Sequence, residues 1–336
     1  MKVGIVNDTP MMVEVLRRVV AESQRHELIW VARDGAEAVQ MCAWQLPDIV
    51  LMDLLMPNLD GVEATRQIMQ RTPCPILIVT ANMGSSAGKI YEALGAGALD
   101  AVQTPVLAGG DLRQNAAALI AKMERLSGVS TQVMPAPKAE PQAELEVADP
   151  STGVVAIGAS AGGPAMLAQL LSKLPADFPA ALVIVQHIDV AFAPGLADWL
   201  QRESKLDVRL AREGDRPQRG QALLAGSDRH LVFRSGGALT YEAGKASDVY
   251  RPSIDVFFHS VVKHWRGSAA GVLLTGMGRD GALGLKAMRE RGFYTVAQHQ
   301  KGCAVYGMPK AAAEAGAATE MLSVPAMVPA LLGVFH

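Results

Sequence analysis

The sequence has only three cysteines, Cys42, Cys74 and Cys303, in 336 residues. An odd, scattered set gives neither a disulfide framework nor a metal-ligand spacing. No run of 18 apolar residues occurs, so no transmembrane helix is expected. The opening MKVGIVND lacks a basic segment followed by a long apolar one, and reads as a strand rather than a secretory signal. Excess charge is also lacking: 31 Lys+Arg against 33 Asp+Glu leave a net charge of −2. That balance gives no general case for a nucleic-acid partner or for direct membrane insertion. A soluble cytoplasmic protein is the expectation.

What is present is an apolar half of the composition, enough for a core in each of two domains. Residues 1–126 alternate strand-like runs (Lys2–Val6, Leu28–Ala32, Ile49–Met52, Ile76–Thr80, Ala101–Gln103) with amphipathic segments (Met11–Glu22, Gly35–Ala43, Val62–Arg71, Ser86–Leu94). That alternation predicts βαβ units and a doubly wound parallel sheet. Residues 127–150, rich in Pro, Ala and acidic side chains, read as a flexible linker. From 151 to 336 a second, mostly parallel α/β domain is expected. Its strands are Val154–Ile157, Ala181–Gln186, Ala222–Ala225, Leu231–Arg234, Ala270–Leu274 and Thr295–Ala297, with a hairpin turning at Ser235-Gly236-Gly237. This second half carries 19 basic against 15 acidic residues, compatible with an acidic protein substrate.

In a doubly wound sheet, ligands gather at the carboxyl ends of the strands. Asp8 follows the first strand, Asp53 ends the third and Thr80 ends the fourth. Two carboxylates converging there suit a hard divalent cation such as Mg²⁺, and one of them could accept a phosphoryl group. Taken singly, each Asp also reads as a helix N-cap. Met52-Asp53 through Met56-Pro57, then Asp60-Gly61, resemble the phosphoacceptor segment of response-regulator receiver domains. The resemblance covers 1–126 and implies a flavodoxin-like five-stranded parallel sheet. It further implies phosphorylation of Asp53 by a partner histidine kinase, Mg²⁺ on Asp8, Asp53 and the Leu55 carbonyl, and phosphoryl contact from Thr80. Three positions depart from that family: Asn7 where a second acid is usual, Thr104 where Lys precedes Pro105, and Ala101 where an aromatic switch residue is usual.

In the second half, Val154–Ile157 runs into Gly158-Ala159-Ser160-Ala161-Gly162-Gly163-Pro164, with a helix expected near Ala165. A serine on such a turn is lifted above the sheet edge beside helix N-terminal amides. Gly-x-Ser-x-Gly is equally an ordinary turn and cap. Ala181–Gln186 is apolar and ends in His187, and Val272–Leu274 runs into a glycine turn carrying Asp280. Serine, histidine and aspartate at three strand ends of one sheet fit nucleophile, base and orienting acid. Their chain order is not that of α/β-hydrolases, so that fold is not implied. The same turn, Gly276-x-Gly278-x-x-Gly281, also matches a dinucleotide fingerprint, without the acidic residue that should end the next strand.

Together AIGASAGGP, VQHI, YRPSIDVFFHS (with Ser253 and Asp255) and LLTGMGRDGA resemble protein-glutamate methylesterases of bacterial chemotaxis. That resemblance implies hydrolysis of glutamate methyl esters on methyl-accepting chemoreceptors, and it allows deamidation of receptor glutamines. It makes Ser160 the nucleophile, His187 the base, Asp280 the orienting acid and the Met277 amide part of an oxyanion hole, with no cofactor for the esterase. Ala161 stands where the family commonly has Thr. The opening MKVGIVNDTPMMVEVLRR looks closest to family members of surface-sensing, biofilm-related systems. The contrasting expectation is a non-catalytic receptor-binding module that competes for kinase phosphoryl groups.

Overall fold

Short apolar runs bounded by polar or glycine turns fix the strands. A computed structural model of the chain describes residues 1–23, 25–81, 87–105, 112–126, 153–244 and 248–335. The expected linker, 127–150, and Ser86 at the start of an expected helix lie outside the described residues. The described residues fall into two units divided at Ser130/Thr131.

In the first unit, β1 (Lys2–Val6), α1 (Pro10–Glu22), β2 (Glu27–Ala32), α2 (Gly35–Trp44), β3 (Ile49–Met52), α3 (Gly61–Arg71), β4 (Ile76–Thr80), α4 (Ala87–Gly95), β5 (Asp100–Gln103) and α5 (Leu112–Leu126) follow in turn. The sheet order is β2-β1-β3-β4-β5 with every pair parallel. All four residues of β3 and all five of β4 are buried. This requires helices on both faces, as the unbroken apolar runs predicted. On α1 the buried residues Val15, Leu16, Val19 and Val20 recur at one-turn spacing.

The second unit contains β6 (Val154–Ala159), α6 (Gly163–Leu171), β7 (Ala181–Gln186), α7 (Ala193–Glu203), β8 (Asp207–Leu210), β9 (Gln221–Leu224), β10 (His230–Phe233), β11 (Leu239–Glu242), α8 (Ile254–His264), β12 (Ala269–Leu273), α9 (Ala282–Glu290), β13 (Tyr294–Gln298), α10 (Met308–Glu314), β14 (Glu320–Leu322) and α11 (Val324–Phe335). Its main sheet runs β14-β13-β12-β6-β7-β9-β8, again parallel throughout. β6, β7 and β12 lie side by side at its centre, and every residue in them is buried. Each fully buried Val or Leu there contributes roughly 1.5–3 kcal/mol. Helix α8 packs on α9, and α6 on α7 and α11, forming two helical layers.

Two expectations are corrected. The run 231–234 is not a strand of the main sheet. With β11 it makes the expected hairpin, but as a separate antiparallel two-stranded sheet, where Phe233 stacks on Phe257 and lies tilted against Trp265. The helix after Ser160 starts at Gly163 rather than near Ala165. Edge strands β8 and β14 were not expected from the sequence. DVRL and EML are short and partly polar, and only their neighbours make them strands.

Candidate active site and phosphoacceptor pocket

Asp53 lies just past β3, beside Asn7 and Asp8 at the end of β1. The Asn7 amide group donates to Asp53 Oδ2 (2.9 Å), and the Leu54 amide donates to Oδ1 (2.7 Å). Asn7 Oδ1 accepts from the Thr9 amide (2.9 Å), which fixes which way the carboxamide faces. Burial pushes the Asp53 carboxyl up; the Leu54 and Leu55 amides oppose this, and the Asp8 charge adds to it. The N-cap of α1 is Thr9 and that of α3 is Asp60, so neither Asp8 nor Asp53 is a helix cap. Asp60 accepts from the Glu63 amide and pairs with Lys89 (2.8 Å). Gly61 lets α3 close on Asp53, since a Cβ there would lie 2.0 Å from the Asp53 carbonyl oxygen. Thr80 is buried, and its carbonyl accepts from the Thr104 amide (2.9 Å). Ala101 is buried inside β5. Leu55 is half exposed in the loop after Asp53.

In the second unit, the register of β6 on β7 pairs Ala159 with Gln186. Ser160 and His187 are therefore the next residues of two adjacent strands. Asp280 comes from the turn between β12, on the other side of β6, and α9. His187 Nε2 lies 2.9 Å from Asp280 Oδ2. His187 Nδ1 is buried and takes no hydrogen bond among the described residues. Gly276 packs directly against the serine: a Cβ on it would lie 2.7 Å from Ser160 Cβ.

Asp280 is buried and sits over the N-terminus of α8. It accepts from the Ser253 hydroxyl (2.9 Å) and from the amides of Ile254 (2.7 Å) and Asp255 (3.0 Å). Burial pushes its carboxyl up. The hydrogen bond and charge of His187 and the two amides outweigh this and hold it below the usual carboxylate range. Tyr250 stacks face to face on His187, with ring centroids 4.6 Å apart and planes 3° from parallel. The Ser253 amide donates to His230 Nδ1 (3.0 Å), and His230 Nε2 contacts Asp248 (2.9 Å). An Nδ1 that accepts places the ring proton on Nε2, facing Asp248.

The Ser160 amide is occupied by the Thr275 carbonyl (3.0 Å). The Met277 and Ala161 amides have no hydrogen-bond partner among the described residues. The glycine turn that matches a dinucleotide fingerprint is filled. Gly276 meets Ser160 and Met308, Gly278 meets the Tyr250 hydroxyl, and Gly281 meets Leu273 and Ile254. Sequence reasoning missed Tyr250, Gln186 and the His230–Asp248 pair. It singled out Ser253 without giving it a contact; the signal available there was Ser253-Ile254-Asp255 before an apolar run, an N-cap pattern.

A receiver-type sheet with its acidic edge, followed by a parallel sheet bringing Ser, His and Asp to one edge, defines a response regulator with a hydrolase effector. Comparison with known proteins makes this specific. Residues 3–116 match the response regulator receiver domain, and residues 155–331 match the CheB methylesterase. The chain belongs to the CheB methylesterase family. It is 54% identical over 340 residues to protein-glutamate methylesterase/protein-glutamine glutaminase 3 of Pseudomonas aeruginosa, covering all of both chains. It is 55% identical over 336 residues to protein-glutamate methylesterase/protein-glutamine glutaminase 4 of Burkholderia thailandensis, covering 99% of this chain and 97% of the relative. Among solved structures, the Thermotoga maritima CheB methylesterase catalytic domain superposes with a TM-score of 0.51 at 31% identity, covering 54% of this chain and 97% of that one. Among the described residues no helix is long and apolar enough to cross a membrane.

Proposed function

We propose that this chain hydrolyses glutamate methyl esters on methyl-accepting chemoreceptors, with Ser160 as nucleophile and its output controlled by phosphorylation of Asp53. The carrying observation is the His187–Asp280 hydrogen bond of 2.9 Å, which leaves the other ring nitrogen unpartnered on the strand next to Ser160. Asp280 holds the Nε2–H tautomer, so Nδ1 carries the lone pair that takes the Ser160 proton. Ser160 Oγ attacks the ester carbonyl, and the oxyanion forms against the Met277 and Ala161 amides. His187 returns the proton to the leaving methoxide and methanol departs. Water, deprotonated by the same Nδ1, then cleaves the glutamyl-serine ester. A receptor glutamine would follow the same two steps with ammonia leaving, in line with the double name of the relatives.

In the receiver, Asp8, Asp53 and the Leu55 carbonyl are the residues that would hold Mg²⁺. The fit rests on the donor set, two carboxylates and a main-chain carbonyl at neighbouring strand ends; burial first, and the Asp8 charge after it, raises the Asp53 carboxyl. When bound, the cation neutralises charge at the phosphoacceptor. Thr80, at the end of β4, is our candidate for contact with the phosphoryl group, which a sensor histidine kinase would donate.

The test is methanol release from methylated receptor membranes, with and without a small phosphodonor. Ser160→Ala should lower turnover by a factor on the order of 10⁴ or more. Full adaptation in cells carrying Ser160→Ala would favour the binding-module reading instead.

A further inference from the structure

Gln186 is the last residue of β7 and the one polar side chain in ALVIVQ, and it is 2% exposed. Its Nε2 donates to the main-chain carbonyl of Ser160 (2.9 Å) and to that of His187 (3.0 Å). Both acceptors are carbonyl oxygens, which cannot donate, so the carboxamide has only this orientation. The β6–β7 ladder ends with the His187 amide on the Ala159 carbonyl (2.9 Å). Beyond that point the two chains part, one into α6 and the other away from the sheet. At the divergence a single side-chain NH₂ group takes over from the ladder and ties the two carbonyls together.

Two further observations mark the arrangement as specific. Gln186 Oε1 is buried and takes no hydrogen bond among the described residues, so the carboxamide is held by its two donations alone. Gly163 lies against the same carboxamide: a Cβ there would stand 2.1 Å from Oε1 and 3.0 Å from Cδ. The first residue of α6 is therefore held to glycine chiefly by the space the Gln186 Oε1 needs, with Ala159 Cβ close behind at 2.9 Å.

We infer that Gln186 is a positioning residue that sets the separation of the nucleophile from its base. The inference rests on the Ser160 and His187 roles proposed above. It touches neither substrate nor reacting atoms. It acts through the backbone of the two residues that must exchange a proton, where a misplacement of about 1 Å costs on the order of 100-fold.

The experiment uses the full-length protein and methylated receptor membranes, with active sites counted by burst titration with a fluorophosphonate ester. Gln186→Met keeps the length and removes both donors. It should lower kcat per titrated site by roughly 10- to 100-fold with KM unchanged. Gly163→Ala, which pushes the carboxamide from the other side, should do the same. In a Gln186→Ala background, where only the Ala159 Cβ contact remains, Gly163→Ala should cost clearly less than it does in the parent. A structural role alone would lower the melting temperature and the titrated fraction while leaving kcat per site intact, and that result overturns the clamp. Additive losses in the double variant overturn it too. Ser160→Ala is assayed alongside. If it is inactive while Gln186→Met turns over at the full rate, the clamp alone fails; if it stays active, the nucleophile assignment fails and the clamp with it.

Discussion

The phenol ring of Tyr250 lies flat on the imidazole of His187, 4.6 Å away and 3° from parallel. His187 is nearly enclosed, its side chain 11% exposed, and the Tyr250 ring covers one of its faces. In the proposed mechanism, an aromatic face would favour the cation formed on His187 by the Ser160 proton, by about 1–2 kcal/mol in a largely desolvated site. Tyr250→Leu should therefore lower kcat by roughly 5- to 30-fold. Tyr250→Phe keeps the face and should stay within about twofold of the parent. Steady-state methanol release from both variants is the measurement. Equal losses in the two would assign the effect to the hydroxyl, which lies over Gly278.

Asp280 gives a pH signature of its own. Its folded carboxyl is held below the ordinary value of about 4. A depressed carboxylate contributes stability above the unfolded value, and that stability is lost as pH falls through the folded value. Asp280→Asn should thus be less stable than the parent at neutral pH, with the gap closing on the acid side. Urea midpoints across a pH series report this. Its kcat should fall by on the order of 10³- to 10⁴-fold, because an amide no longer holds the productive His187 tautomer. Parallel midpoints at every pH would show that the ionised form adds nothing to the fold.

The way these residues became legible, or did not, follows from what each depends on. Ser160, His187 and Asp53 stand at the ends of unbroken apolar runs, and such runs in a parallel fold declare their own carboxyl edges. Strands β1, β3, β4 and β7 were bounded correctly for the same reason. β8 and β14 escaped because an edge strand needs little apolar sequence, and the β10–β11 hairpin, turning where expected, stands outside the main sheet because composition does not say which sheet a strand joins. Gln186 read only as the end of a strand. Its donation to two carbonyls, like the stacking of Tyr250, exists only after chain segments far apart in sequence have met.

The receiver departs from its family at Asn7, and the structure says what that residue does: it donates to Asp53 Oδ2 at 2.9 Å. A neutral donor occupies the place of a third negative charge. Asn7→Asp should make the fold more dependent on cation. Its receiver transition should melt lower in EDTA than that of the parent, since three carboxylates then repel one another. Added Mg²⁺ should restore it at roughly tenfold lower concentration. Calorimetric Mg²⁺ titrations that superpose for the two proteins would rule out a charge-limited site.

Ser253 joins two roles in one hydroxyl, donating to Asp280 Oδ1 at 2.9 Å and accepting from the Val256 amide at 3.3 Å as the cap of α8. Removing it costs the helix its cap, about 1 kcal/mol. It also leaves Asp280 with one donor fewer and more freedom to turn from His187. Ser253→Ala should therefore lower both the melting temperature and kcat. Ser253→Thr, which restores the hydroxyl, should recover both. The neighbouring His230 separates the effects, because it reaches Ser253 only through the backbone amide at 3.0 Å. His230→Leu loosens the start of α8 without touching the hydroxyl. If stability alone fell in His230→Leu while kcat fell only in Ser253→Ala, the hydroxyl on Asp280, and not the seating of the helix, would be what the chemistry requires.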